Sequence, residues 1–349
     1  MRNLKNRIEN WQKSEMSKDD GNVSSVWEFN RKSFNHKNGG SFRGYGLNLK
    51  KKHLVEQFKF LYKILIYPRL FVSRYYILLE RYAVKVLSLI ILGHKDNSAR
   101  WGLESLDYKN YDERLLKDFK KNLFPKQIYF SHNTIKCYSY LKNLEEYTNF
   151  LSSKTQFKKN ILEIGAGMFN FGHLLSLKIT KFNYIICDLP ELIKTCTLEI
   201  DREYLSNSFY DVFLPNEIDS FLKSKSDRKV LFITPNQLDL LNEIGLKYDL
   251  FVNHESFAEM KISLVNEYLN HVSSHMKRGA LLYIINRHSR PQAVTKKQFD
   301  ELEKIEDLTS FEDYELDFAN KIVEKIDPFR TIIPGQCHLP NVLYIGKVK

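Results

Sequence analysis

From Lys159 onward the chain alternates short, almost uninterrupted apolar runs with amphipathic stretches, and this alternation restricts the fold more than any other feature. The runs are NILEIG (160–165), FNYIICDL (182–189), KVLFIT (229–234), YDLFVN (248–253) and ALLYIIN (280–286). Strands apolar on both faces belong in a parallel sheet covered by helices on both sides. Between them, PELIKTCTLEI and SLVNEYLNHVSSHM have helical spacing, and the second is expected to end near Gly279. FRTIIP (329–334) and NVLYIG (341–346) follow each other too closely for a helical crossover, as in an antiparallel pair. The expected fold is α/β: a doubly wound, mostly parallel, seven-stranded sheet with an antiparallel edge strand, occupying residues 156–349.

The first part of the chain reads differently. Residues 1–50 are polar and include NHKNGG (35–40), which reads as a flexible lead segment. Residues 51–155 read as a helical cap or accessory region, broken at Pro68 and helical again through CYSYLKNLEEYTNFL (137–151). Charges at Lys63, Arg69, Arg74, Glu80, Arg81 and Lys85 interrupt the apolar stretch 61–92, so no span there reaches bilayer length. The basic, aromatic part of this region, residues 50–95, has two readings: a cap that excludes water from a cleft, or a surface helix making peripheral contact with anionic lipid.

The net charge of +11 concerns partners and solubility rather than fold. Solvated surface, an anionic glycan, a phosphorylated sugar and a membrane surface all fit it; nucleic acid is not expected as a partner. The four cysteines, Cys137, Cys187, Cys196 and Cys337, form no C-x-x-C pair, and the opening residues show no apolar signal region. A reduced, cytoplasmic setting is the resulting expectation.

The first strand runs straight into a glycine turn, Glu163-Ile164-Gly165-Ala166-Gly167. One glycine permits the tight turn and the next lets a ligand approach the backbone, at the strand end where doubly wound sheets bind ligands. Asp188 closes the next strand. Its carboxylate can accept hydrogen bonds from a ribose diol, or cap the helix opening at Pro190. Glu163, an acid on an apolar strand, needs a partner when buried: a cationic ligand group, or the N–H groups of the turn.

ILEIGAG, the DLPE at 188–191, ITPNQLDLL at 233–241 and VNHESFAEM at 252–260 resemble the sugar O-methyltransferase family of Rossmann-like class I methyltransferases, over about residues 130–349. The resemblance implies a seven-stranded methyltransferase sheet, S-adenosyl-L-methionine as cofactor and a sugar hydroxyl, of a glycan or glycan precursor, as acceptor. By position, Glu163, Gly165, Gly167 and Asp188 would line the methionine and ribose side, and Ala166, Leu189 and Asn253 are further cofactor-binding candidates. Asn236 and Gln237 would lie near the adenine. Phe169 departs from the pattern, standing where class I turns often carry a third glycine.

A sugar hydroxyl is a weak nucleophile at neutral pH, so a general base or a divalent cation is expected to assist. The fourth strand ends in Asn253-His254-Glu255-Ser256, with Glu259 close behind. Imidazole ordinarily titrates near neutral pH, which makes His254 the first candidate for base; a solvent-facing loop histidine is the plain alternative. Glu255 or Glu259 would orient it or hold a metal, although Glu259 also suits the first turn of the next helix. Ser256, Arg287 and His288 are the candidates for acceptor binding, and the last two are equally readable as exposed residues. Cys337-His338 reads as packing rather than a metal site. Two other functions fit parts of the pattern: a nicotinamide-dependent sugar reductase, and a non-catalytic cofactor-binding protein. No D-x-D pair supports a glycosyltransferase.

Overall fold

The strands Lys159–Ile164 (β1), Phe182–Cys187 (β2), Asp211–Phe213 (β3), Arg228–Ile233 (β4), Tyr248–His254 (β5), Met276–Arg287 (β6), Ala319–Thr331 (β7) and Leu339–Val348 (β8) form one sheet, in the order β3-β4-β2-β1-β5-β6-β8-β7. This is a computed structural model, and it describes residues 4–15, 132–151, 157–167, 169–190, 192–194, 196–197, 210–288, 309–331 and 339–349. β1 to β6 pair in parallel, while β8 runs antiparallel to both β6 and β7. The α/β expectation holds, with a mostly parallel sheet and an antiparallel edge. The strand count differs: the short β3, at the edge beside β4, makes eight among the described residues.

Helices Leu4–Glu15 (α1), His132–Tyr147 (α2), Asn170–Ser176 (α3), Ile218–Lys223 (α4), Leu238–Glu243 (α5) and Ile262–His275 (α6) accompany the sheet. Alternation along each strand sorts its residues between two faces. One face carries Leu162, Ile164, Ile185, Cys187, Leu231, Ile233, Phe251, Leu282 and Ile284, all buried with Phe221, Leu241, Val265, Leu269 and Val272 of α4, α5 and α6. The opposite face carries Glu163, Tyr184, His254 and Tyr283, with Phe171 of α3 against the last two. The strand order changes direction at β1, which has β2 on one side and β5 on the other, so the crevice outside their carboxyl ends is a switch point.

Three boundaries move. α6 ends at His275 and β6 starts at once with Met276, not after Gly279. Gly279, at φ 79, instead sits in the irregular start of β6, where the register slips between Tyr248 and Leu250 of β5. β7 begins at Ala319, ten residues before the apolar run that suggested a strand. As an edge strand it exposes Ile322 and Ile326 and alternates them with charge, which hides it from a search for apolar runs. Pro328 is tolerated there because the register shifts between Asp327 and Arg330.

Contacts divide the chain into two compact units: Met1–Gly39, Tyr140–Thr331 and Gly335–Lys349 form one, and Gly40–Ser139 with Ile332–Pro334 the other. In the second unit the described residues are 132–139, the opening turns of α2. The sheet unit therefore takes in residues from Tyr140, rather than starting at 156. Residues 4–15 also correct the flexible-lead expectation. Leu4, Ile8 and Trp11 of α1 recur at helical spacing and are buried. Arg7 grips Glu217 from Nε at 2.8 Å and from Nη2, which also donates to the Val212 carbonyl at 2.9 Å. The rest of 1–50, the 50–95 region and Cys337-His338 lie outside the described residues. No helix among the described residues is long and apolar enough to cross a membrane.

Candidate active site at the carboxyl edge of the sheet

The turn after β1 is built on positive φ. Gly165 (φ 73) donates its N–H to the Cys187 carbonyl at 2.9 Å. A Cβ on Gly165 would lie 2.2 Å from both Cβ and Oγ of Ser256. Gly167 (φ 55) is the opposite case, since a Cβ there would meet nothing within 4 Å. Its backbone therefore faces open space of the kind a ligand needs. Ala166 accepts the Phe169 N–H at 3.0 Å and closes the turn.

Phe169 adopts φ 60, an αL position that costs a residue with a Cβ about 1–2 kcal/mol. Its ring is fully buried, edge-on to Tyr184 at 5.0 Å and Tyr210 at 5.8 Å, and this packing offsets the strain. The glycine absent at 169 has its counterpart at Gly172, where a Cβ would fall 1.9 Å from the Phe169 ring. We expect Gly172→Ala to destabilise the fold by about 2–3 kcal/mol in urea denaturation, because a buried ring must shift. A cost under about 0.5 kcal/mol, the level of a neutral surface change, would mean that the ring is not seated there.

Asp188 ties the turn to β2. Its Oδ2 accepts the Gly167 N–H at 3.1 Å and its Oδ1 accepts the Leu189 N–H at 2.8 Å. The Leu189 carbonyl accepts the N–H groups of Leu192 and Ile193 at 2.9 Å each, so the helical turn opening at Pro190 begins on Leu189. A carboxylate offers about four acceptor positions.

Glu163, 2% exposed, accepts the Tyr184 hydroxyl at 2.7 Å on Oε2, while Oε1 lies 3.8 Å from His254 Nδ1. Burial pushes the Glu163 carboxyl up to about 8; the Tyr184 hydroxyl opposes that shift and the Asp188 carboxylate adds to it. His254 is not a solvent-facing loop residue. It ends β5, and its ring is boxed by Phe171 at 4.5 Å, Tyr140 at 5.0 Å and Tyr283 at 5.4 Å. The Tyr283 hydroxyl fixes the Tyr140 backbone, donating to its carbonyl at 2.7 Å.

Glu255 follows His254 at the end of β5. It leaves the strand at φ 65, and its Oε1 accepts from the Tyr140 hydroxyl at 3.3 Å and from Asn341 Nδ2 at 3.2 Å. An acid facing the imidazole is Glu163, on the neighbouring strand.

Asn253 and Ser256 hold the loop. Asn253, fully buried, donates to the Ile164 carbonyl at 2.9 Å and Ser256 Oγ at 2.6 Å. Its Oδ1 accepts from Phe257 N–H at 3.3 Å and Asn286 Nδ2 at 2.7 Å, which fills its hydrogen-bonding capacity. Ser256 Oγ donates to the same Ile164 carbonyl at 3.0 Å, and Asn286 Oδ1 receives the Ala258 N–H at 3.1 Å. This network clamps the ends of β1, β5 and β6 together.

Gln237 likewise serves local structure, closing a capping box on Thr234 and donating to the Pro215 carbonyl at 3.1 Å. Asn236 is exposed beside it and accepts from the Thr234 hydroxyl. Glu259 lies in the turn Phe257–Glu259. Arg287, 7% exposed, closes β6 and opposes the burial-driven rise of the Tyr314 hydroxyl. His288 is more exposed, with Nδ1 3.6 Å from Glu312. Among the described residues no cluster of three or more His, Cys, Asp and Glu side chains is placed to hold a metal.

Sequence reasoning passed over Tyr140, Phe171, Tyr184 and Tyr283, the aromatic surround of the Glu163–His254 pair. One signal was readable: Tyr184 and Tyr283 interrupt otherwise aliphatic strands.

No protein-family model matches this chain, and no curated protein matches it. Among solved structures, a SAM-dependent methyltransferase from Methanosarcina mazei is 14% identical, with a TM-score of 0.38 over 58% of this chain and 97% of its own. The magnesium protoporphyrin IX methyltransferase of Synechocystis, solved with bound SAH, is 8% identical, with a TM-score of 0.37 over 68% of this chain and 100% of its own. An O-methyltransferase family protein from Burkholderia thailandensis is 14% identical, with a TM-score of 0.34 over 70% of this chain and 69% of its own. At these identities and scores the likeness does not carry the function, which rests on the site's own geometry.

Proposed function

We propose that this protein is an S-adenosylmethionine-dependent O-methyltransferase acting on a sugar hydroxyl of a glycan or glycan precursor. The observation that carries the reading is the turn itself: Gly167 opens onto free space while Asp188 pins it, at the switch point of a doubly wound sheet. The residues present fit that cofactor. Asp188 suits a ribose diol, and the buried Glu163 suits a cationic amino-acid end, because a neighbouring positive charge restores the carboxylate that burial disfavours. The sugar acceptor rests on the resemblance carried by DLPE and SFAEM.

Bound there, S-adenosylmethionine supplies an electrophilic methyl group on a sulfonium. The chain's part is to align an acceptor hydroxyl and take its proton. His254 is the base, with Glu163 on its Nδ1 side as the orienting acid. Its Nε2 is enclosed beside the rings of Tyr140, Phe171 and Tyr283.

Calorimetry with S-adenosylmethionine and NADPH in parallel tests the cofactor. Saturable binding of the first and none of the second is expected; tighter nicotinamide binding overturns the reading. Asp188→Ala removes two charge-assisted bonds of the turn and should weaken donor binding by about 1.5–3 kcal/mol, roughly 10- to 100-fold. A transfer assay with labelled methyl donor over fractionated cell glycans, with and without chelator, tests the acceptor. His254→Ala should lower turnover there while leaving donor affinity intact.

A further inference from the structure

At the other end of the same strands lies a cavity of about 490 Å³, within the usual range for small-ligand pockets. We propose that it binds a phosphomonoester group carried on a small body. Lys159 opens β1, Asp249 lies at the start of β5, and Lys277 to Leu281 form the start of β6. The loop after α2 supplies Phe150, and Lys347 comes from the antiparallel β8. β1 is six residues long, so cavity and glycine turn are separated by about 20 Å. A ligand there is out of reach of the methyl-transfer site, and the inference stands apart from the proposed activity.

The charge of the lining selects the ligand. Four cations, Lys159, Lys277, Arg278 and Lys347, face two carboxylates, Glu146 and Asp249. Asp249 is already committed: Lys277 Nζ reaches its two oxygens at 2.8 and 2.9 Å, and the Asn160 N–H reaches Oδ2 at 2.8 Å. Lys159 Nζ is held 5.2 Å from the centre of the Phe150 ring. Arg278 and Lys347 are exposed, and neither carries an ion pair among the described residues. An excess of two positive charges matches one phosphate monoester, which carries about −1.5 to −2 at pH 7. A guanidinium that can take two oxygens at once shares this lining with ammonium groups. Phe150, Leu281 and the exposed Ile322 give the body of the ligand an apolar wall.

The test is calorimetry on the full chain at fixed ionic strength with glucose 1-phosphate, inorganic phosphate and sodium chloride as separate titrants. Co-sedimentation with phosphatidylcholine vesicles carrying phosphatidic acid forms a further arm. Saturable phosphomonoester binding is expected, reduced at least tenfold in Arg278→Gln/Lys347→Gln and abolished in Arg278→Glu/Lys347→Glu, with circular dichroism unchanged. Binding to the vesicles alone, lost in the same variants, identifies a lipid headgroup as the source of the phosphate. No saturable binding in either arm, or binding that both variants retain, overturns the proposal.

Discussion

Gly165→Ala is expected to be the most damaging single substitution in the sheet unit, at about 4 kcal/mol of stability, near the upper end for point changes. Two costs add. An alanine at φ 73 sits in the αL region, worth about 1–2 kcal/mol against a residue with a Cβ. The new Cβ also falls 2.2 Å from the Cβ of Ser256, a position fixed by backbone. Ser256 must therefore move with its loop, breaking its bond to the Ile164 carbonyl and disturbing Asn253. Leaving such buried groups unpaired costs about 1–3 kcal/mol. A double-mutant cycle separates the terms. Ser256→Gly removes the obstructing Cβ and should recover the overlap cost, leaving the backbone strain. Ser256→Ala keeps the Cβ, relieves only the overlap with Oγ and should recover less. Equal behaviour of the two backgrounds in urea denaturation would show that overlap with Ser256 is not what makes glycine necessary.

Legibility followed burial. β1, β2, β4, β5 and β6 were readable because both faces of a central parallel strand are apolar, which leaves an uninterrupted run. β3, with three residues, has too little pattern to stand out. β7 has one exposed side, and its register shifts break the alternation a half-buried strand would show. The glycine turn and Asp188 were legible because backbone geometry demands those residue types locally. The partners of His254 were not. Residues adjacent on a strand point to opposite faces, and an acid that faces the imidazole lies on β1. Tyr140, from a helix far earlier in the chain, and Asn286, inside an apolar run, enter through tertiary contacts that no local spacing announces.

Glu163→Gln should make the protein more stable above pH 8 and remove most of a pH dependence that the parent shows. The Glu163 carboxyl is raised from an ordinary 4.5 to about 8. The folded chain then holds a proton that the unfolded chain has released, so stability is full below about pH 4.5. It falls as pH rises and levels off past 8. At about 1.4 kcal/mol per unit, the loss is on the order of 5 kcal/mol. Glutamine is neutral throughout and still offers an oxygen to the Tyr184 hydroxyl, so its curve should stay nearly flat across this window. The groups facing the carboxyl are the Tyr184 hydroxyl, the Asp188 carboxylate and the His254 imidazole. An opposite charge placed beside the carboxyl favours its ionised form. Cationic ligands act in the same sense: on the proposed function, donor binding must draw the proton from Glu163. Donor affinity should therefore rise between pH 6 and pH 8, about tenfold for each pH unit while the carboxyl remains protonated, and Glu163→Gln should flatten that rise. Urea denaturation at pH 5 and pH 9, with donor calorimetry over the same range, checks both halves. Parallel stability curves for parent and variant would mean that Glu163 is already ionised in the empty protein.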